Sequence, residues 1–130
     1  MSYSICIGTI GSGAWLSTDS GDNWKRVASG FWSESRIYSL AVHPTEPRTL
    51  FAGADDGIYK SSDGGQNFAR LDSPMNTRDV WKIAIDPTNP DIIFAGTRPA
   101  ALYRSKDGGK SWTPLAVDMV DECPNVPSRG

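Results

Sequence analysis

Apolar residues along this chain come in short runs of strand length, each closed by Gly, Pro, Asn or Asp, and nowhere recur at helical spacing. The clearest series is residues 80–85, 92–95, 101–104 and 111–115. Residues 36–42, 49–52, 57–60 and 67–71 form the same series upstream, and residues 3–7, 14–16 and 23–27 answer its last three members. The pattern predicts eleven strands and an all-β chain, grouped as three, four and four.

The grouping follows an internal repeat. Ser17, Asp19, Gly21 and Trp24 stand in the pattern Ser-x-Asp-x-Gly-x-x-aromatic, which returns as Ser61, Asp63, Gly65 and Phe68 and again as Ser105, Asp107, Gly109 and Trp112, at steps of 44 residues. Residues 41–47 (Ala-Val-His-Pro-Thr-Glu-Pro) are echoed by 84–90 (Ala-Ile-Asp-Pro-Thr-Asn-Pro), and Phe51-Ala52-Gly53 by Phe94-Ala95-Gly96. A repeat of this length holding four strands fits one blade of a β-propeller. Naming the strands A to D from the propeller axis outward, the first unit lacks A. The expected fold is a partial β-propeller of three four-stranded antiparallel blades at 1–30, 31–73 and 74–116, the first without its inner strand, with a tail at 117–130 leading toward a fourth blade.

With its three boxes in phase, the chain resembles the Asp-box, or bacterial-neuraminidase-repeat, propellers. That superfamily includes sialidases, xyloglucan-cleaving glycoside hydrolases, sortilin-type receptors and photosystem II assembly factors. The resemblance implies a fold and not one reaction. It leaves two expectations: a non-catalytic scaffold or binding module, or a fragment of a glycoside hydrolase of the xyloglucanase or sialidase kind.

Composition narrows the partners. Thirteen Lys and Arg against 15 Asp and Glu give a formal charge of −2, so there is no broad basic surface for nucleic acid or anionic lipid. The longest apolar runs, such as Ile92-Ile93-Phe94-Ala95, are too short to span a membrane, and the start Met-Ser-Tyr-Ser-Ile-Cys does not read as a signal peptide. Cys6 and Cys123 lack metal-ligand spacing. A cytoplasmic protein with free thiols and neither metal nor cofactor is expected.

The boxes read as fold chemistry. They fall between strands C and D, where Ser and Asp side chains bind turn amides, Gly takes positive φ, and the aromatic packs across the blade. Once per blade on one rim, they do not converge on a substrate. His43, the one histidine, sits in an A–B turn and is expected to face solvent.

Binding residues are expected on the opposite face, in the B–C loops 8–13, 53–57 and 96–101 and the D–A connections 29–36 and 72–80. These supply Phe31, Trp32, Glu34, Arg36, Asp55, Asp56, Arg78, Asp79 and Arg98. Phe31 and Trp32 suit a sugar ring or a peptide, or else cap the gap between blades. The expected partner is accordingly protein, peptide or carbohydrate, with self-association or downstream blades covering the end faces. A glycosidase needs two carboxylates flanking the scissile bond or a Tyr nucleophile. The Phe-Arg-Ile-Pro pattern of sialidases is absent, with Thr97-Arg98-Pro99 a poor substitute, and no nucleophilic triad or phosphate loop is present.

Overall fold

The computed structural model describes residues 3–27 and 29–117. It holds eleven strands and, among the described residues, no helix. The first sheet comprises β1 (Ile5–Gly8), β2 (Ala14–Ser17) and β3 (Lys25–Arg26). The second comprises β4 (Ile37–Val42), β5 (Leu50–Ala54), β6 (Gly57–Ser61) and β7 (Ala69–Arg70). The third comprises β8 (Asp79–Ile85), β9 (Ile93–Arg98), β10 (Ala101–Ser105) and β11 (Thr113–Pro114). Every ladder is antiparallel and joins neighbours in sequence. This is the all-β partial propeller anticipated from the repeat, with one three-stranded and two four-stranded blades.

Boundaries differ from the sequence expectation in two places. The outermost strands β3, β7 and β11 are each two residues long, so Trp24, Phe68 and Trp112 precede them rather than open them. The loop expected at 96–101 shrinks to Pro99 and Ala100, because β9 continues through Arg98; Arg98 and Asp79 are strand residues, paired opposite one another.

Alternation along each strand builds two packing faces per blade. Leu50, Ala52, Tyr59 and Phe68 bury one face of the second blade in a cluster with Ala14, Val27 and Ile37. Phe51 and Ile58 bury its other face against Val80, Ile83, Ile93, Ala95, Tyr103 and Trp112. Glycine permits the closest approach: a Cβ on Gly8 would lie 2.6 Å from the Ile37 Cγ2, and one on Gly53 would meet the Val80 carbonyl.

In β4 and β8 the register shifts between Ile37 and Ser39 and between Val80 and Lys82. Each shift is a β-bulge that re-aims one side chain, Tyr38 in one strand and Trp81 in the other.

Candidate ligand-binding face

The three boxes share one hydrogen-bond scheme. The Ser61 hydroxyl donates to Asp63 Oδ1 at 2.8 Å and accepts the Gly65 amide at 2.9 Å, while Asp63 Oδ1 accepts the Asn67 amide at 3.0 Å. Ser17, Asp19 and Gly21 repeat it with the Asn23 amide, and Ser105, Asp107 and Gly109 with the Ser111 amide. Gly21, Gly65 and Gly109 have φ of 96°, 94° and 95°. Hydrogen bonds from the residue at the fourth box place after the Asp, led by the Asn67 and Ser111 side chains, hold the Asp63 and Asp107 carboxyls down to about 2 and lower Asp19 in the same direction. The amides of Gly64 and Gly108 donate to the Arg48 and Asp91 carbonyls at 2.8 and 3.0 Å, tying each box to the A–B turn of its own blade. These turns have a side-chain acceptor too: His43 Nδ1 accepts the Glu46 amide at 3.0 Å, as Asp86 Oδ1 accepts the Thr88 amide at 2.8 Å. His43 is therefore a turn acceptor and not simply a solvent-facing side chain.

The opposite face carries an aromatic stack. The Tyr38 and Trp81 rings lie 4.5 Å apart with 16° between planes, and the Arg98 guanidinium sits 5.3 Å from the Trp81 centroid. Asp79 Oδ2 accepts from Arg98 Nε and Nη2 at 3.1 and 2.8 Å, fixing the guanidinium over the ring. Arg78 Nη1 donates to the Pro99 carbonyl at 2.8 Å, closing the β9–β10 turn beside the stack. Trp81 remains 46% exposed. A stacked, half-exposed indole with a fixed cation and carboxylate beside it offers an apolar ring surface edged by hydrogen-bonding groups, the chemistry that holds a pyranose or an aromatic side chain.

Asp79, Arg78 and Arg98 are thus brought together, around two residues that sequence reasoning missed. Tyr38 and Trp81 occupy matching places in the two A strands. Strict alternation puts Trp81 on the buried side with Ile83, and only the bulge frees it. A large aromatic at the same place in both A strands was the available signal.

The other expected contacts are scattered. The Phe31 ring is 4.6 Å from Tyr59 and 4.9 Å from Phe68, filling the seam between the first two blades. Trp32 is 50% exposed and Glu34 and Arg36 are exposed beside it. Asp56 accepts the Tyr59 hydroxyl at 2.9 Å and lies 3.5 Å from Arg70. Asp55 has one carboxylate oxygen buried without a hydrogen-bond partner among the described residues. No group of three or more His, Cys, Asp or Glu able to hold a metal occurs among them.

Three antiparallel blades, each with the same box between its outer strands, define a segment of an Asp-box β-propeller. The model for the Sortilin-Vps10 family, described as sortilin, neurotensin receptor 3, matches residues 12–125, and the chain belongs to that family. It is 33% identical over 108 residues to a xyloglucanase of Hypocrea jecorina (strain QM6a), covering 81% of this chain and 13% of the relative. Among solved structures, an ancestral GH74 enzyme superposes with a TM-score of 0.72 at 23% identity, over 86% of this chain and 16% of that one. YCF48 bound to D1 peptide superposes with a TM-score of 0.56 at 20% identity, over 85% of this chain and 44% of that one. The structural likenesses establish the fold, and the chain spans a minor share of the length of each of these relatives.

Proposed function

We propose that this chain is a non-catalytic, carbohydrate-binding segment of a larger Asp-box propeller, with Trp81 as the stacking surface. The observation that carries the reading is the Tyr38–Trp81–Arg98 stack, with Trp81 half-exposed, set on bulges of the two inner strands and held by Asp79. Sequence kinship to a xyloglucanase makes a glucan backbone the first ligand to try. Asp79 and Asp56, two of the carboxylates on this face, are already engaged by Arg98 and by Tyr59 with Arg70. That engagement favours a positioning role for them over acid–base work.

Affinity electrophoresis in gels containing xyloglucan or mixed-linkage β-glucan tests the reading. The parent is retarded and releases no reducing ends, and Trp81→Ala weakens binding about thirty-fold, the equivalent of about 2 kcal/mol for a lost aromatic anchor. Release of reducing ends by the purified chain would instead support a glycoside hydrolase segment, the reading that the xyloglucanase relative favours. Retention of a peptide and no glycan would overturn the carbohydrate assignment.

A further inference from the structure

The A–B turns of the second and third blades share one backbone plan and differ in their caps. In residues 43–49 the His43 amide donates to the Thr49 carbonyl and the Thr49 amide to the Glu46 carbonyl, both at 2.9 Å. In residues 86–92 the Asp86 amide donates to the Ile92 carbonyl at 3.0 Å and the Ile92 amide to the Asn89 carbonyl at 2.9 Å. The first side chain of each turn takes up the amides of the bend. Thr88 and Asn89 donate theirs to Asp86 Oδ1 at 2.8 and 3.3 Å, and Thr45 and Glu46 donate theirs to His43 Nδ1 at 3.2 and 3.0 Å. An imidazole nitrogen thus stands where the next blade has a carboxylate oxygen. To accept, Nδ1 must keep its lone pair, so the neutral ring carries its proton on Nε2. A second proton can go only to Nδ1, where its N–H would confront two N–H donors. Asp86 meets no such conflict. Hydrogen bonds from Thr88, led by its side chain, hold the Asp86 carboxyl below the usual range, so it remains an acceptor wherever an imidazole changes charge.

We propose that His43 makes the A–B turn of the second blade a pH-operated switch. The neutral ring caps the turn; the protonated ring lets go of the Thr45 and Glu46 amides and the turn opens, while the matching turn of the third blade stays closed. The released ring has a place to go. His43 lines a cleft of about 180 Å³ between the second and third blades. Facing it there are the carboxylates of Glu46, from its own turn, and of Asp91 and Asp107, from the third blade, with the ammonium groups of Lys60 and Lys110. Arg48, the remaining charge of the turn, lines the cleft on the side of the first blade. Carboxylates outnumber ammonium groups around the ring, so the imidazolium exchanges turn amides for anions and the change stays local to the turn.

NMR on the full chain tests this, with the His43 ring resonances reporting protonation and amide exchange, corrected for the intrinsic rate at each pH, reporting the turn. Between about pH 7.5 and about pH 5 the ring takes up its proton, and the protection of the Glu46 amide falls about tenfold or more while that of Thr88 and Asn89 holds. His43→Asp installs the third blade's cap and keeps Glu46 protected at both pH values. His43→Ala leaves Glu46 unprotected at both. Unchanged Glu46 protection on a protonated ring overturns the proposal. So does a ring that stays neutral down to about pH 5, or a fall in His43→Asp equal to that of the parent. Should a variant fail to fold, the comparison of ring and amide in the parent decides by itself.

Discussion

Gly53 lies directly beneath the Val80 carbonyl, so that the inner strand of the third blade crosses the second blade where a side chain would stand. Gly96 holds the same place in the third blade, and a Cβ there would meet only its own Leu102, at 3.8 Å. Gly53→Ala is therefore expected to cost about 1 to 3 kcal/mol by overpacking. Gly96→Ala is expected to stay within about 0.5 kcal/mol of the parent. Denaturant titration of the two variants checks the pair, and equal losses would show that the blades do not meet at Gly53.

The Ser61 hydroxyl is buried and bridges Asp63 to the Gly65 amide. Ser61→Ala strands that amide inside the turn and is expected to cost about 1 to 3 kcal/mol. Ser105→Ala should behave alike, since the hydroxyl, carboxylate and glycine amide are arranged identically. Chemical denaturation gives the loss, and glucan affinity measured alongside should not change. Lost affinity at parental stability would make the boxes part of a binding site.

Asp63 and Asp107 titrate at about 2 in the folded chain against an ordinary 3.8. A depressed carboxyl contributes stability above its unfolded value and loses it as pH falls through its folded one. The melting temperature should thus be flat down to about pH 4 and fall between there and about pH 2. Both carboxylates are exposed, so solvent keeps each contribution small. In an Asp63→Asn, Asp107→Asn double variant, thermal melts across this range should show a shallower fall.

Burial pushes the Cys6 thiol up to about 11 from its ordinary 9.0. The thiolate fraction near neutral pH is then well below that of an exposed cysteine. In a Cys123→Ser background, iodoacetamide should label the native chain far more slowly than the chain in guanidinium, as followed by intact mass. Equal rates would place Cys6 in solvent.

The blades were legible because the boxes repeat: Ser, Asp and Gly at fixed spacing specify a turn chemically, and a turn recurring every 44 residues specifies a blade. The candidate face was legible in part. Asp79, Arg78 and Arg98 fall in the D–A connection and the B–C loop expected on it, whereas Trp81 was hidden by the assumption of unbroken alternation. A bulge is a property of the paired backbone, and one strand's sequence does not display it. Phe31 left two readings open for a different reason: an aromatic in a variable connection looks the same in sequence whether it points to solvent or lies on Tyr59 and Phe68, as it does here.

Because each ladder in the three sheets joins strands adjacent in the chain, no sheet among the described residues waits for a distant segment. During synthesis the second sheet can form as soon as Arg70 has left the ribosome, before the third has emerged. Its exposed Phe51 face is then covered within one repeat length by β8 and β9. The order of translation and the order of packing coincide, which shortens the time that an unfinished apolar face spends in solvent and so the opportunity for chains to aggregate.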